Sequence, residues 1–145
     1  MPSPVWPNAC ATEDDVRQLA QRMCRVSEAL HRRLRLANEG EWQSDSTAVY
    51  ALLTEEYALR ARSNILMIEG KRFARPDFPA TQEDLLTVLD DVEAALGTTW
   101  SPQALTDLLV ALILFANSIA SRNNEIISLL LNSLKQQIVE HARKN

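Results

Sequence analysis

Apolar residues recur along this chain at alternating steps of three and four, the spacing that keeps side chains on one face of an α-helix. Val16, Leu19, Met23, Val26, Leu30, Leu34 and Ala37 form one such seam and predict a helix over 13–38. Thr12 ahead of Glu13, Asp14 and Asp15 supplies an N-cap and places acids at the positive end of the helix dipole. Gly40 ends that helix, and Arg17, Arg22, Arg25, Arg32, Arg33 and Arg35 occupy its other faces. A second stripe, Tyr50, Leu53, Tyr57, Ala61, Asn64 and Ile68, is widened by Val49, Leu52, Leu59 and Leu66. It predicts a helix over 46–69, capped by Ser44-Asp45-Ser46 and stopped by Gly70, with Glu56 and Arg60 paired four residues apart.

Pro76 and Pro79 make 71–80 a connection. Thr81 then opens a third helix with Leu85, Leu86, Val88, Leu89, Val92 and Leu96 inward, and Gly97 stands where a left-handed cap is expected. Ser101-Pro102 opens a fourth, with proline at the first helical position. Between 108 and 120 apolar residues occupy every face without a charge, which predicts burial all round: a central helix, or one shared with another chain. Beyond Arg122-Asn123-Asn124-Glu125 the pattern returns to one face through Ile126 or Ile127, Leu130 or Leu131, Leu134 and Ile138. One long helix bent near 121–124 accommodates both stretches. Residues 1–12, with Pro2, Pro4 and Pro7, read as an extended arm that Trp6 would anchor, ahead of a single domain over 13–145. The expected fold is all-α, an antiparallel four-helix bundle with a long, strongly apolar C-terminal helix.

Composition narrows the function. The 145 residues are 46 % apolar and 23 % charged, a balance that folds without a metal or disulfide staple. A net charge of −4 argues against general nucleic-acid binding. Frequent Arg and Ala with little Lys fits a bacterial source rich in G and C. No basic segment followed by an apolar run marks a signal peptide, and the apolar stretch at 108–120 falls short of the roughly 20 residues needed to span a bilayer. The expectation is a cytoplasmic protein without membrane insertion. Cys10 and Cys24 make no disulfide framework, and Cys24, inside a helical apolar pattern, reads as a small core residue.

Little in the chain carries chemistry. His31 sits among arginines, and the Arg32-Arg33-Leu34-Arg35 that follows departs from the Lys and Gly of phosphotransfer histidines. His141 has Glu140 beside it, but no Glu-x-x-His pair supports a metal centre. No nucleophile elbow or glycine-rich phosphate loop is present, so the expectation is a non-enzyme without cofactors. The arginines have an internal answer in Asp77, Glu83, Asp84, Asp90, Asp91 and Glu93. Asn64, Asn117 and Asn123 lie on or near apolar stripes, where they would fix helix register.

Two segments resemble a known family. ALLTEEYALRARSNILMIEGKRF (51–73) and LLVALILFANSIASRNNEIISLLLNSL (108–134) are similar to helices of bacterial flagellar export chaperones that guard hook–filament junction proteins. The helix over 13–38 precedes the matching part, and Ser63-Asn64 replaces the family's acidic residue after Ala-Arg. The resemblance implies a small helical chaperone that holds the amphipathic end of an unassembled secreted subunit. By position it places Asn123, Asn124, Ile127, Leu130 and Leu134 in the partner-binding helix, and the apolar 108–120 helix adds Leu112, Phe115 and Ile119. The alternatives are a homodimer sealed by that helix, with a structural or regulatory role, and a neutralising partner of a toxin or enzyme presenting the acidic 77–93 segment.

Overall fold

The computed structural model describes residues 8–41 and 46–144, and the chain is all-helical. In order run α1 (Glu13–Leu36), α2 (Ser46–Ile68), the single turn α3 (Gly70–Phe73), α4 (Gln82–Ala95), α5 (Pro102–Ser118) and α6 (Asn124–Lys144). A π-helical turn, Ala37–Glu41, continues α1. Trp6 and the Ser44-Asp45 part of the second cap lie outside the described residues.

Local chemistry sets most of the boundaries. Thr12 and Asp15 form a reciprocal capping box, Thr12 Oγ1 accepting from the Asp15 N–H at 3.1 Å and Asp15 Oδ2 from the Thr12 N–H at 3.2 Å. Thr81 and Ser101 cap α4 and α5 through the N–H groups of Asp84 (3.1 Å) and Ala104 (3.2 Å). Gly97 departs from expectation, since no described glycine has a positive φ. The end of α4 tightens instead, with the Gly97 N–H on the Ala94 carbonyl at 3.1 Å. Its last carbonyls find a side chain: Arg33 donates to Leu96 O at 3.0 Å and Gly97 O at 2.9 Å. Gly70 follows the end of α2 for a different reason. A Cβ there would lie 3.3 Å from the Glu13 carbonyl, so the glycine lets the chain pass close against the start of α1.

Among the described residues five helices of three turns or more are present where four were expected. The apolar C-terminal segment is two elements rather than one bent helix. Residues 119–123 reverse the chain, with Arg122 at φ 57° in the left-handed region. Short polar side chains compete with the helical backbone at this point. Ser121 Oγ donates to the Ser118 carbonyl at 2.7 Å, and Asn123 Oδ1 caps α6 through the Ile126 N–H at 3.2 Å.

The helices alternate in direction. α1 and α2 form an antiparallel hairpin; α4 runs parallel to α1, Gln82 meeting Asp15 at one end and Arg33 meeting Leu96 at the other. α6 doubles back along α5, so that His141 stacks on Trp100. Packing contacts link α1 to α2, α2 to α5, α5 to α6, α6 to α4, and α4 back to α1. Each of these five helices thus contributes one face to a shared core. Leu19, Leu30 and Leu34 of α1, Leu59 of α2, Leu85 and Leu89 of α4, Leu105 and Phe115 of α5 and Leu134 of α6 are enclosed there. The whole predicted seam of α1 is buried. The end of the arm joins the body: the Ala9 N–H donates to Ala80 O (2.8 Å), the Arg75 N–H to Cys10 O (2.7 Å) and the Cys10 N–H to Gln82 Oε1 (3.0 Å).

Candidate partner-binding surface

The outside of the molecule is divided. Along α1 and α4 it is charged and largely answered from within the fold: Arg22 meets Asp90 at 2.9 Å, Arg25 meets Glu93 at 3.0 Å, and Lys135 of α6 meets Asp84 at 2.8 Å. Such pairs are at least partly exposed and contribute at most about 1 kcal/mol each, so they mark a solvated face rather than an anchor. Along α2, α5 and α6 the outside carries apolar stripes.

α2 produces this division because it carries two seams. The seam that faces the core is Val49, Leu52, Glu56, Leu59, Ser63, Leu66, with Gly70 next in register. Two of its members are polar and satisfied: Glu56 accepts from Arg60 at 2.7 Å, as its spacing predicted, and Ser63 Oγ donates to the Leu59 carbonyl at 2.9 Å. The stripe expected to face inward points to water instead. Tyr50 is 68 % exposed, Tyr57 72 % and Ile68 82 %, and Ala61 and Asn64 are exposed with them; of the expected stripe only Leu53 is partly buried. Thr54, Ala58 and Ile65 complete an outward face without a charge.

α5 is likewise not covered all round. Leu105, Leu108, Leu109, Leu112, Phe115 and Ile119 are buried, but Val110 (46 % exposed) and Leu114 (48 %) face out beside Asn117. On α6, Ile127, Leu131 and Leu134 are buried, while Ile126 (45 %) and Leu129 (69 %) lie in water. At the far end of this hairpin Ala104 and Asp107 lie beside Gln137 and His141. Counting back along two antiparallel helices from that pairing sets Leu114 level with Leu130 and Leu131, within a turn of Leu129.

The residues expected to bind a partner therefore take another place. Leu112, Phe115, Ile119, Ile127 and Leu134 belong to the core of the single chain, and Leu130 is half-buried against it. They are closed off because α6 folds back over α5 instead of extending past it. Asn123 is the cap of α6. Asn124 Oδ1 accepts from Arg75, and its Nδ2 donates to Asp77 O at 3.0 Å, tying the start of α6 to the 75–77 connection. Their neighbours Val110, Leu114, Ile126 and Leu129 are the exposed large apolar side chains in this part of the two helices. The signal was present, since a segment apolar on all faces leaves one face over once the core is filled.

The chemistry-bearing groups serve the fold. Cys10 is the fully enclosed cysteine and Cys24 the half-buried one, the reverse of the expected emphasis, and both are free thiols. Burial, reinforced by Asp15 and opposed by Arg75, pushes the Cys10 thiol up to about 12. Burial also raises Cys24, with Glu28 adding to the effect. Neither presents the thiolate that nucleophilic or redox work requires. His31 Nδ1 lies 3.7 Å from the buried carboxylate of Glu56. The His141 ring stacks on Trp100 with centroids 3.6 Å apart and planes 6° from parallel. Thr98 Oγ1 gives its one proton to Ala95 O at 2.6 Å, so at 2.7 Å it accepts from His141 Nε2–H. Partial burial, then the nearby Lys144, lowers the His141 pKa. Among the described residues no group of three or more His, Cys, Asp or Glu is placed to hold a metal ion, and no helix is long and apolar enough to cross a membrane. No protein family, curated protein or solved structure was found to match this chain.

Proposed function

We propose that this protein is a non-catalytic, cytoplasmic protein-binding module of bacterial origin that shelters an amphipathic helix of a client, as the export chaperones it resembles do. The observation that carries this reading is the outward apolar face of the α5–α6 hairpin, where Val110, Leu114, Ile126 and Leu129 stand in water on adjacent helices. A client helix laid along the hairpin covers them with its own i, i+3, i+4 and i+7 side chains. Full burial of one such side chain is worth roughly 1.5–3 kcal/mol, and these four are already partly buried. After the entropy lost on association, the surplus suits a contact that holds a client and then lets it go. The resemblance supplies the class of client, an unassembled subunit awaiting export.

A photoreactive phenylalanine analogue at position 114, in the host cell, tests this reading. Crosslinking to one discrete secreted or unassembled protein is expected there, and none from position 91 on the charged face. Equal labelling from both positions, or none from 114, would sink the client reading.

The second reading, self-association, is favoured by a separate observation: the two most exposed large apolar side chains, Ile68 and Tyr57, lie on α2, beyond the hairpin.

A further inference from the structure

The outward stripe of α2 runs Tyr50, Thr54, Tyr57, Ala61, Asn64, Ile68, at steps of four, three, four, three and four. That is a coiled-coil seam about 27 Å long with none of the described helices laid over it. We infer that its occupant is the same helix of a second copy, antiparallel across a two-fold axis. This rests on the reading of the chain as a protein-binding module, and it concerns α2 alone.

An isologous contact demands that a patch be its own complement, and few helix faces are. This one is, in one register. Turned end for end about a point between Tyr57 and Ala61, the seam sets each Tyr57 against the partner's Ala61, large against small, twice. Tyr50 then faces the partner's Ile68, apolar against apolar, and Thr54 faces the partner's Asn64, polar against polar. Polar layers of this kind fix register and orientation at some cost in affinity. The flank agrees as well. α1 lies on the side of α2 that carries Arg60 and Asn64: Cys24 of α1 meets Asn64, and His31 of α1 meets Glu56, the partner of Arg60. On the other side Ala51 and Ala58 border the seam, and Glu55 and Arg62 stand just outside them, both exposed. Small alanines let two backbones approach, and the same register brings Glu55 opposite the partner's Arg62, again twice. A parallel pairing would set Tyr57 on Tyr57 and Glu55 on Glu55. An unrelated client helix has no reason to carry the complement of this pattern; a second copy carries it by identity.

Sedimentation velocity on the full chain at micromolar concentration tests the inference, with variants chosen on exposed positions so that the fold is undisturbed. The wild type is expected to be a dimer. Tyr57→Arg, and independently Ile68→Lys, should give monomers with unchanged helical circular dichroism. Glu55→Arg and Arg62→Glu should each weaken association at least about tenfold by setting like charges together, and the double reversal should restore it. Under mild oxidation Ala58→Cys, near the axis, should crosslink to itself, and Thr47→Cys, at the end of the helix, should not. A dimer that survives both seam variants, or a double reversal no better than the singles, overturns the α2 seam. So does efficient crosslinking through Thr47→Cys, the mark of a parallel pair. A wild type that stays monomeric overturns it too, and crosslinking from position 114 then decides the client reading separately.

Discussion

Arg33 belongs to the most arginine-rich stretch of the chain, yet its guanidinium is buried and holds the last carbonyls of α4. Hydrogen bonds from a charged donor are worth about 1.5–3 kcal/mol, and removing the donor leaves carbonyls without it. Arg33→Met is therefore expected to destabilise the protein by about 2–3 kcal/mol in urea unfolding, with Arg32→Met within about 0.5 kcal/mol of wild type. Gln82 works the same way at the other end, accepting from the Cys10 N–H at 3.0 Å and donating to the Asp15 carbonyl at 2.9 Å. His141 gives a pH signature. Its folded pKa is lowered, so the unfolded chain binds the proton more readily and stability rises with pH. The contribution is complete above the ordinary histidine value near 6.5 and is lost as pH falls through the folded value. Proton NMR titration should place His141 below 6.5, and His141→Phe, which keeps the stack on Trp100, should flatten this part of the stability profile. A His141 pKa above 6.5 refutes the argument.

At the scale of elements the sequence was legible wherever a helix had one apolar face and a side-chain cap. The starts of α1, α4 and α5 fall at Thr12, Thr81 and Ser101-Pro102 as read, and the α1 seam is buried throughout. On α2 Val49, Leu52, Leu59 and Leu66 face the core as expected, but the stripe from Tyr50 to Ile68 faces outward, for a physical reason. The helix's core seam contains Glu56 and Ser63, while its outer seam offers two tyrosines and an isoleucine, so hydropathy alone prefers the wrong side. The buried carboxylate is tolerated because Arg60 lies one turn away on the same helix. The break between α5 and α6 was hidden because apolar side chains continue on both sides of it. Only Ser121 and Asn123, acting together, turn the chain. The candidate surface was hidden with it, since the outward side of α5 is defined only after α6 has folded back. This turn makes a specific demand on Arg122. Its φ of 57° lies far from the −65° that proline imposes. Arg122→Pro should cost more than about 1 kcal/mol, whereas Arg122→Gly should leave stability unchanged or slightly improved. A proline variant as stable as wild type would show that Arg122 does not hold the left-handed conformation on which this turn depends.

The molecule as a whole has two kinds of surface that answer differently to salt. On the α1–α4 side the ion pairs are exposed, and screening them takes little from folding stability. On the α2, α5 and α6 side, the proposed association would hide apolar surface from water, and sulfate, being excluded from protein surfaces, would strengthen that burial. Sodium chloride at high concentration should therefore shift the thermal midpoint by only a few degrees. Ammonium sulfate at equal ionic strength should raise both the midpoint and the fraction of associated chain seen by light scattering. The two effects part company in variants. Leu114→Arg and Tyr57→Arg remove apolar area from the outside without touching the core, so the sulfate-driven gain in mass should fall while the unfolding midpoint stays near wild type. Loss of the midpoint itself would mean that these outward positions hold the fold together. An unaltered gain in mass would place the associating surface elsewhere, on the charged side, where the ion pairs would then have to open to admit a partner.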